Sequence, residues 1–237
     1  MNIFKFLVLF LLISCSKSIH KKVFPYYQFQ DEEQIDFFLK REAEKRGIDF
    51  NFAKAVLIKE SHYKKDVISS TGAVGLMQLM PRYGSYITDN YKNYELAKKN
   101  KPKQIFKDKT HKEWISEYKK DLLNLLQDYS SNREGLYKKD KRFDPEWNIK
   151  SGVGQLAEEY KHFINRKHTE YKSRILSAAA YNAGKYSVMN DESKPKFDSI
   201  PINNQTEYYA ISVEKIYQAL KKGNGRLLKE NIYLLYQ

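Results

Sequence analysis

Apolar residues recur at helical spacing along much of the chain. Ile35, Phe38, Leu39 and the Glu42-Ala43 pair trace one face of a first helix. Asp31 is placed to cap it, and it runs to Arg46 before Gly47 stops it. Asp49 or Asn51 can cap a second helix, on which Ala53, Val56, Leu57 and Glu60 fall at i, i+3, i+4 and i+7. A third stripe is Ile115, Tyr118, Leu122, Leu125 or Leu126, and Tyr129. Asp144-Pro145 opens a fourth helix, a capping carboxylate followed by proline at the first helical position. Its face is Ile149, Val153, Leu156 and Tyr160. The alanine cluster of residues 175–184 favours helix and close helix contact, with Gly184 as its C-cap. Thr206 is read as the cap of a last helix with Tyr209, Val213, Ile216, Tyr217 and Leu220 on one face, ended by Gly223. The pattern predicts a mainly α protein. Residues 91–111 show no lasting period, 130–142 read as a polar break, and 225–237 as a short helical tail.

The second helix carries the one discordant position. Three residues of its stripe are apolar and the fourth is Glu60. An anion on a core face is costly, so the carboxyl pKa is expected to rise. An acid still protonated near neutrality can donate a proton. The plainer reading, a glutamate solvated at the edge of the stripe, stands beside it. After the helix come Ser69-Ser70-Thr71-Gly72 and Ala73-Val74-Gly75, whose glycines allow close backbone approach. The Leu76-Met77-Gln78-Leu79-Met80 run ends at Pro81, and Gln78 is an amide suited to a neutral polar ligand. Gly152, within the fourth helix, costs about 1 kcal/mol relative to alanine and implies close packing there.

Length and composition narrow the partners. With 237 residues, 41% of them hydrophobic, the chain is globular and has room for one or two domains. Its net charge of +13 attracts anionic polymers, either nucleic acid or a bacterial cell wall with acidic stems. A lysine-rich solvated surface explains the charge equally well. No nucleic-acid motif accompanies it, so no nucleic-acid partner is expected. The single cysteine, Cys15, allows no intrachain disulfide. It follows Lys5 and an apolar run over residues 6–13, a signal-peptide pattern far shorter than the ~20 residues that span a bilayer. Leu12-Ile13-Ser14-Cys15 resembles a bacterial lipobox, in which the cysteine is lipidated. The resemblance implies a signal peptide over 1–14, a tether over 15–30, and export to the periplasmic side of the envelope. The chain would then be held at a membrane, expected to be the outer one, by acyl chains.

Four segments carry a second resemblance. Glu60-Ser61 with Gly72-Ala73-x-Gly75-Leu76-Met77-Gln78-Leu79-Met80-Pro81 is similar to the catalytic segment of soluble lytic transglycosylases, peptidoglycan-cleaving enzymes with a goose-lysozyme-like fold. Asp144-Pro145-Glu146-x-Asn148-Ile149-x-x-Gly152 resembles the second family segment, and Tyr181-Asn182-Ala183-Gly184 the third. At the fourth, Ile200-Pro201 is present, but Gln205 stands where the family has Glu and Glu207 where it has Arg. That departure leaves any second carboxylate at that position in question.

The resemblance implies a lysozyme-like domain over 31–224 with a glycan groove, and makes 82–143 an atypical insertion. Glu60 is the implied general acid. Ser69 would hydrogen-bond Glu60 or the substrate acetamido group. Gln78, Met80, Tyr181 and Asn182 would line the glycan subsites, with Tyr181 near the acid. It implies cleavage of peptidoglycan strands by a monomer, without metal or cofactor and without water as nucleophile, leaving 1,6-anhydro ends. A goose-type hydrolase and a non-catalytic glycan-binding lipoprotein are the other readings.

Overall fold

The computed structural model describes residues 32–82, 84–99, 109–189 and 204–223. The lipobox, the tether, the Asp31 cap, Ile200-Pro201 and the 225–237 tail lie outside them. The nine described helices are α1 (Glu32–Arg46), α2 (Phe50–Ser61), α3 (Asp89–Lys99), α4 (His111–Asp128), α5 (Arg133–Lys139), α6 (Pro145–Asn165), α7 (Glu170–Ala183), α8 (Lys185–Met189) and α9 (Asn204–Lys221). Among the described residues β-structure is limited to isolated bridges, and no helix is long and apolar enough to cross a membrane.

The main core is built by α1, α2, α6, α7 and α9. Leu39, Phe52, Val56, Leu57, Ile149, Val153, Ala179 and Val213 are among its buried side chains. Asp49 is the α2 cap, its Oδ1 accepting the Asn51 N–H at 2.7 Å. Asp144 caps α6 through the Glu146 and Trp147 amides, with Pro145 in the first turn. Arg174 of α7 donates to both carboxylate oxygens of Glu214 on α9, at 2.9 and 2.8 Å. Both partners are buried.

A second, smaller core holds Tyr91 and Tyr94 of α3, Ile115, Tyr118, Leu122 and Leu125 of α4, Leu136, Phe143 and Val74. Two of its elements correct the sequence reading. Residues 91–111, read as lacking a period, contain most of α3, and 130–142, read as a polar break, contain α5. Each buries little. Tyr91 and Tyr94 are the buried side chains of α3, and Leu136 that of α5. One or two anchors leave no stripe to detect. The last helix also starts earlier than expected. Asn204 is already helical, and Thr206 is a buried residue within α9 rather than its cap.

Arg142 joins the two cores. It is 1% exposed and uses every guanidinium N–H. Nε and Nη2 donate to the Asp140 carboxylate, at 3.0 and 2.6 Å. Nη1 donates to the carbonyls of Gly72 and Leu79, and Nη2 also to the Tyr118 hydroxyl. Removing one member of such a pair strands the other charge out of water. Arg142→Met is therefore expected to lose about 3–5 kcal/mol in urea unfolding. A loss below about 1 kcal/mol would show that this network does not hold the loop.

Candidate active site

Glu60 lies in the last turn of α2, and the chain turns sharply after it. His62 and Tyr63 both take left-handed backbone conformations, with φ of 51° and 63°. Such values are uncommon away from glycine and are kept only where the surroundings fix them. The His62 N–H closes the helix on the Ile58 carbonyl, and the Tyr63 hydroxyl donates to Asp36 on α1 at 2.7 Å. The position of Glu60 is thus set from both sides.

Its carboxyl is partly buried, and Oε1 accepts a 2.6 Å hydrogen bond from the Tyr209 hydroxyl of α9. Burial pushes the Glu60 pKa from the usual 4.5 up to about 7, against the opposing pull of the Tyr209 bond and the Lys59 ammonium. Its place at a helix C-terminus disfavours the anion further. Among the described residues no second carboxylate acts on it. Lys59 lies over the Tyr208 ring at 4.8 Å, so α2 and α9 present two side-by-side pairings, Glu60 with Tyr209 and Lys59 with Tyr208.

The loop after α2 is not a helix. Antiparallel bridges pair Ile68 with Val74 and Val74 with Leu79. Gly75 turns the chain at φ 83°, and Gln78 follows at φ 46°. The loop lies between the cores, with Val74 in the smaller and Leu76, Met77 and Leu79 in the larger. Asn148 of α6 grips it from beneath. The Asn148 side chain accepts the Met77 N–H at 2.8 Å and donates to the carbonyls of Val74 and Arg142. Gly152, one turn on, has no room for a Cβ, which would run into Met77 and come within 3.0 Å of the Tyr181 hydroxyl.

The structure distributes the expected site residues as follows. Tyr181 is buried on α7 close enough to Glu60 for that carboxylate to raise its pKa, after the larger effect of burial. Its hydroxyl donates to the Met77 carbonyl at 2.7 Å, so it buttresses the loop rather than bonding the acid. The phenol that touches Glu60 is Tyr209, which the sequence presented only as part of the α9 face. The Ser69 hydroxyl accepts the Ala73 and Thr71 amides and pairs with the Thr71 hydroxyl, so it folds the turn instead of reaching Glu60. The Gln78 amide nitrogen donates to the Val67 and Gly75 carbonyls, so this side chain ties the two ends of the loop together. Met80 is 38% exposed. Asn182 is exposed and accepts from Thr206 at 3.4 Å. Gln205 and Glu207 are both exposed on α9. Among the described residues no group of three or more His, Cys, Asp or Glu side chains is placed to hold a metal ion.

The transglycosylase SLT domain model matches residues 37–106 and 124–203. The chain belongs to the SLT transglycosylase domain family. The match takes in α2, the glycine loop, α6 and α7, and so the positions of Glu60, Asn148 and Tyr181. Residues 107–123 of this SLT domain fall between the two matched stretches. A solved structure of an inactive mutant of lytic transglycosylase Slt from Pseudomonas aeruginosa is 21% identical, with a TM-score of 0.43. The similarity covers 84% of this chain and 26% of that one. The chain therefore spans about a quarter of that protein's length.

The elevated pKa of Glu60 makes stability depend on pH. Between 4.5 and about 7 the folded protein holds a proton at Glu60 that the unfolded chain has released. Stability from this group is complete below 4.5 and is lost as pH rises through about 7. Glu60→Gln should remove that slope, gaining up to about 3 kcal/mol on the parent between the two ends of the window. Urea unfolding across the range measures it, and parallel curves for the two proteins would contradict it.

Proposed function

We propose that this SLT domain cleaves the β-1,4 bond between N-acetylmuramic acid and N-acetylglucosamine in peptidoglycan, without water as the nucleophile. The observation that carries the reading is one carboxyl, raised to about 7 by burial, with a phenol bonded to it and no companion carboxylate among the described residues. Ordinary glycosidases divide the work between two carboxyl groups. A single group that is close to half-protonated at neutral pH can do both jobs in turn.

Protonated Glu60 gives its proton to the oxygen linking the two sugars, and the bond from that oxygen to C1 of the muramic acid breaks. The substrate's acetamido group stabilises the cationic carbon. Glu60, now a carboxylate, takes the proton of the C6 hydroxyl, whose oxygen closes on C1 to give a 1,6-anhydro ring. The nucleophile belongs to the same sugar, so its effective concentration is high. Tyr209 supports the intermediate stage, because its hydrogen bond favours the carboxylate form. Gln78, Met80 and Asn182 are available to line the groove. The reading includes a monomer anchored through a lipidated Cys15 at the periplasmic face of the outer membrane, on the strength of the Leu12-Ile13-Ser14-Cys15 resemblance.

Purified sacculi test the reaction. Glu60→Gln should keep the fold and lower turnover by about 10²–10⁴-fold. The parent's products should carry anhydro ends. Release at the parent's rate by the variant would remove Glu60 from the chemistry. Parent products heavier by one water would mean a hydrolase of the goose-lysozyme kind.

Tyr209→Phe takes away a bond that favours ionised Glu60. The alkaline limb of the pH–rate profile should move up by about one unit, since hydrogen bonds to charged groups are worth about 1.5–3 kcal/mol. A limb that stays in place or moves down would contradict this.

A further inference from the structure

Lys59 and Tyr208 are a pair beside the acid to which the reaction above gives no task. Lys59 sits in the last turn of α2, half-buried, with its Nζ 4.8 Å from the centre of the Tyr208 ring on α9. The next residue on each helix, Glu60 and Tyr209, shares the 2.6 Å hydrogen bond. Successive residues on a helix point about 100° apart. Two contacts between consecutive positions therefore fix the rotation of both helices, and neither helix can turn without breaking one of them.

A lysine does not rest there by default. Its four-carbon stem is flexible and its ammonium is strongly hydrated. Burial lowers the Lys59 pKa, against the pull of Glu60. The ring face of Tyr208 replaces part of the lost hydration. The C-terminal end of α2 also favours a cation. Tyr208 is 47% exposed, so little of the core depends on its ring.

The other charged groups around the acid are accounted for. Residues 204–214 of α9 contain no lysine or arginine, and Glu207 stands where the resemblance has arginine. On α7, Tyr181 feels Glu60 and Arg82, and its hydroxyl is bonded to the Met77 carbonyl. On α1, Asp36 accepts from Tyr63 and Lys54. His62, just past α2, is acted on by Lys64 and Lys59. Tyr209 and Lys59 are the two groups that favour ionised Glu60.

We propose that Tyr208 is a positioning residue for the cleavage reaction, holding the Lys59 ammonium beside Glu60 so that the carboxylate formed on proton donation is met by a fixed positive charge as well as by the Tyr209 bond. The inference rests on the cleavage reading above. The proton that moves is that of Glu60, and Lys59 keeps its own throughout. The Lys59–Tyr208 contact thereby helps to set the pH at which the acid empties.

Two readouts on the full chain test it: the midpoint of the Glu60 carboxyl titration by carbon NMR, and the alkaline limb of the pH–rate profile on purified sacculi. The substitutions alter half-buried or exposed side chains and should fold. Lys59→Met keeps the stem and removes the charge. Both readouts should move up by about half a pH unit, the size expected of one partly solvated neighbouring charge. Tyr208→Leu removes the ring that holds the lysine and should give most of that shift. Tyr208→Phe keeps the ring face and should leave the midpoint in place. In a Lys59→Met background, Tyr208→Leu should shift nothing further, because both changes remove one interaction. A midpoint unmoved by Lys59→Met or by Tyr208→Leu would overturn the proposal, and so would an equal shift from Tyr208→Phe. A Tyr208→Leu shift that is the same with and without Lys59 would overturn it too, since the ring would then act through the packing of Tyr209. None of these results removes Glu60 from the chemistry. Conversely, release of fragments by Glu60→Gln at the parent's rate would overturn the cleavage reading and leave the midpoint shifts standing.

Discussion

A carboxyl group held partly out of water at the end of α2 is the constraint that the rest of the structure serves. Burial alone would leave Glu60 an inert neutral acid, and full exposure would leave it an inert anion. Burial opposed by one phenol hydrogen bond and one neighbouring ammonium brings it to about 7, where both forms are populated. That balance requires α9 to pack against α2 with Tyr209 in register. The Arg174–Glu214 pair and the shared core of α2, α7 and α9 secure that register.

The glycine loop is the second half of the site, and it is held by groups that do no chemistry. Arg142 fixes the carbonyls of Gly72 and Leu79, Asn148 fixes Val74 and Met77, and Tyr181 bonds Met77 again. Each is a buried polar side chain that bonds loop backbone lying outside the helices, and Arg142 is itself held by Asp140 and Tyr118. A loop of this kind has irregular backbone whose polar atoms must be satisfied one by one. The second core exists, in this view, to supply Tyr118 and the Asp140–Arg142 pair to that task. Its α3 and α5 are poor in buried apolar residues because they need only one or two anchors, while α4 carries a full stripe.

The helices that bury a full stripe were legible in the sequence, and so was Glu60, because a carboxylate in an apolar stripe contradicts its surroundings. Asp49, Asp144 and Gly184 act at their expected ends for the same local reason. Gly152 packs tightly, as its cost within a helix implied. What could not be read depends on pairs distant in the chain. Tyr209 and Glu60 are 149 residues apart, and nothing local distinguishes a core tyrosine from one bonded to the acid. Arg142 ends a stretch that reads as a polar break, and nothing local marks it as the residue that is 1% exposed. Ser69 and Tyr181 were assigned roles toward Glu60 or the sugar. Both hydroxyls also hold the loop, Ser69 through the Thr71 and Ala73 amides and Tyr181 through the Met77 carbonyl, bonds that depend on distant packing in the case of Tyr181. Thr206 fits a capping pattern, but the helix had already begun at Asn204.

The central claim is that Glu60 retains its proton near neutrality in the folded protein. Site-resolved carbon NMR of the glutamate carboxyl groups, with Glu60→Gln to assign the signal, measures this directly. The account predicts a single Glu60 titration centred at about 7. A midpoint in the range of an ordinary exposed glutamate, about 4.3, would contradict it.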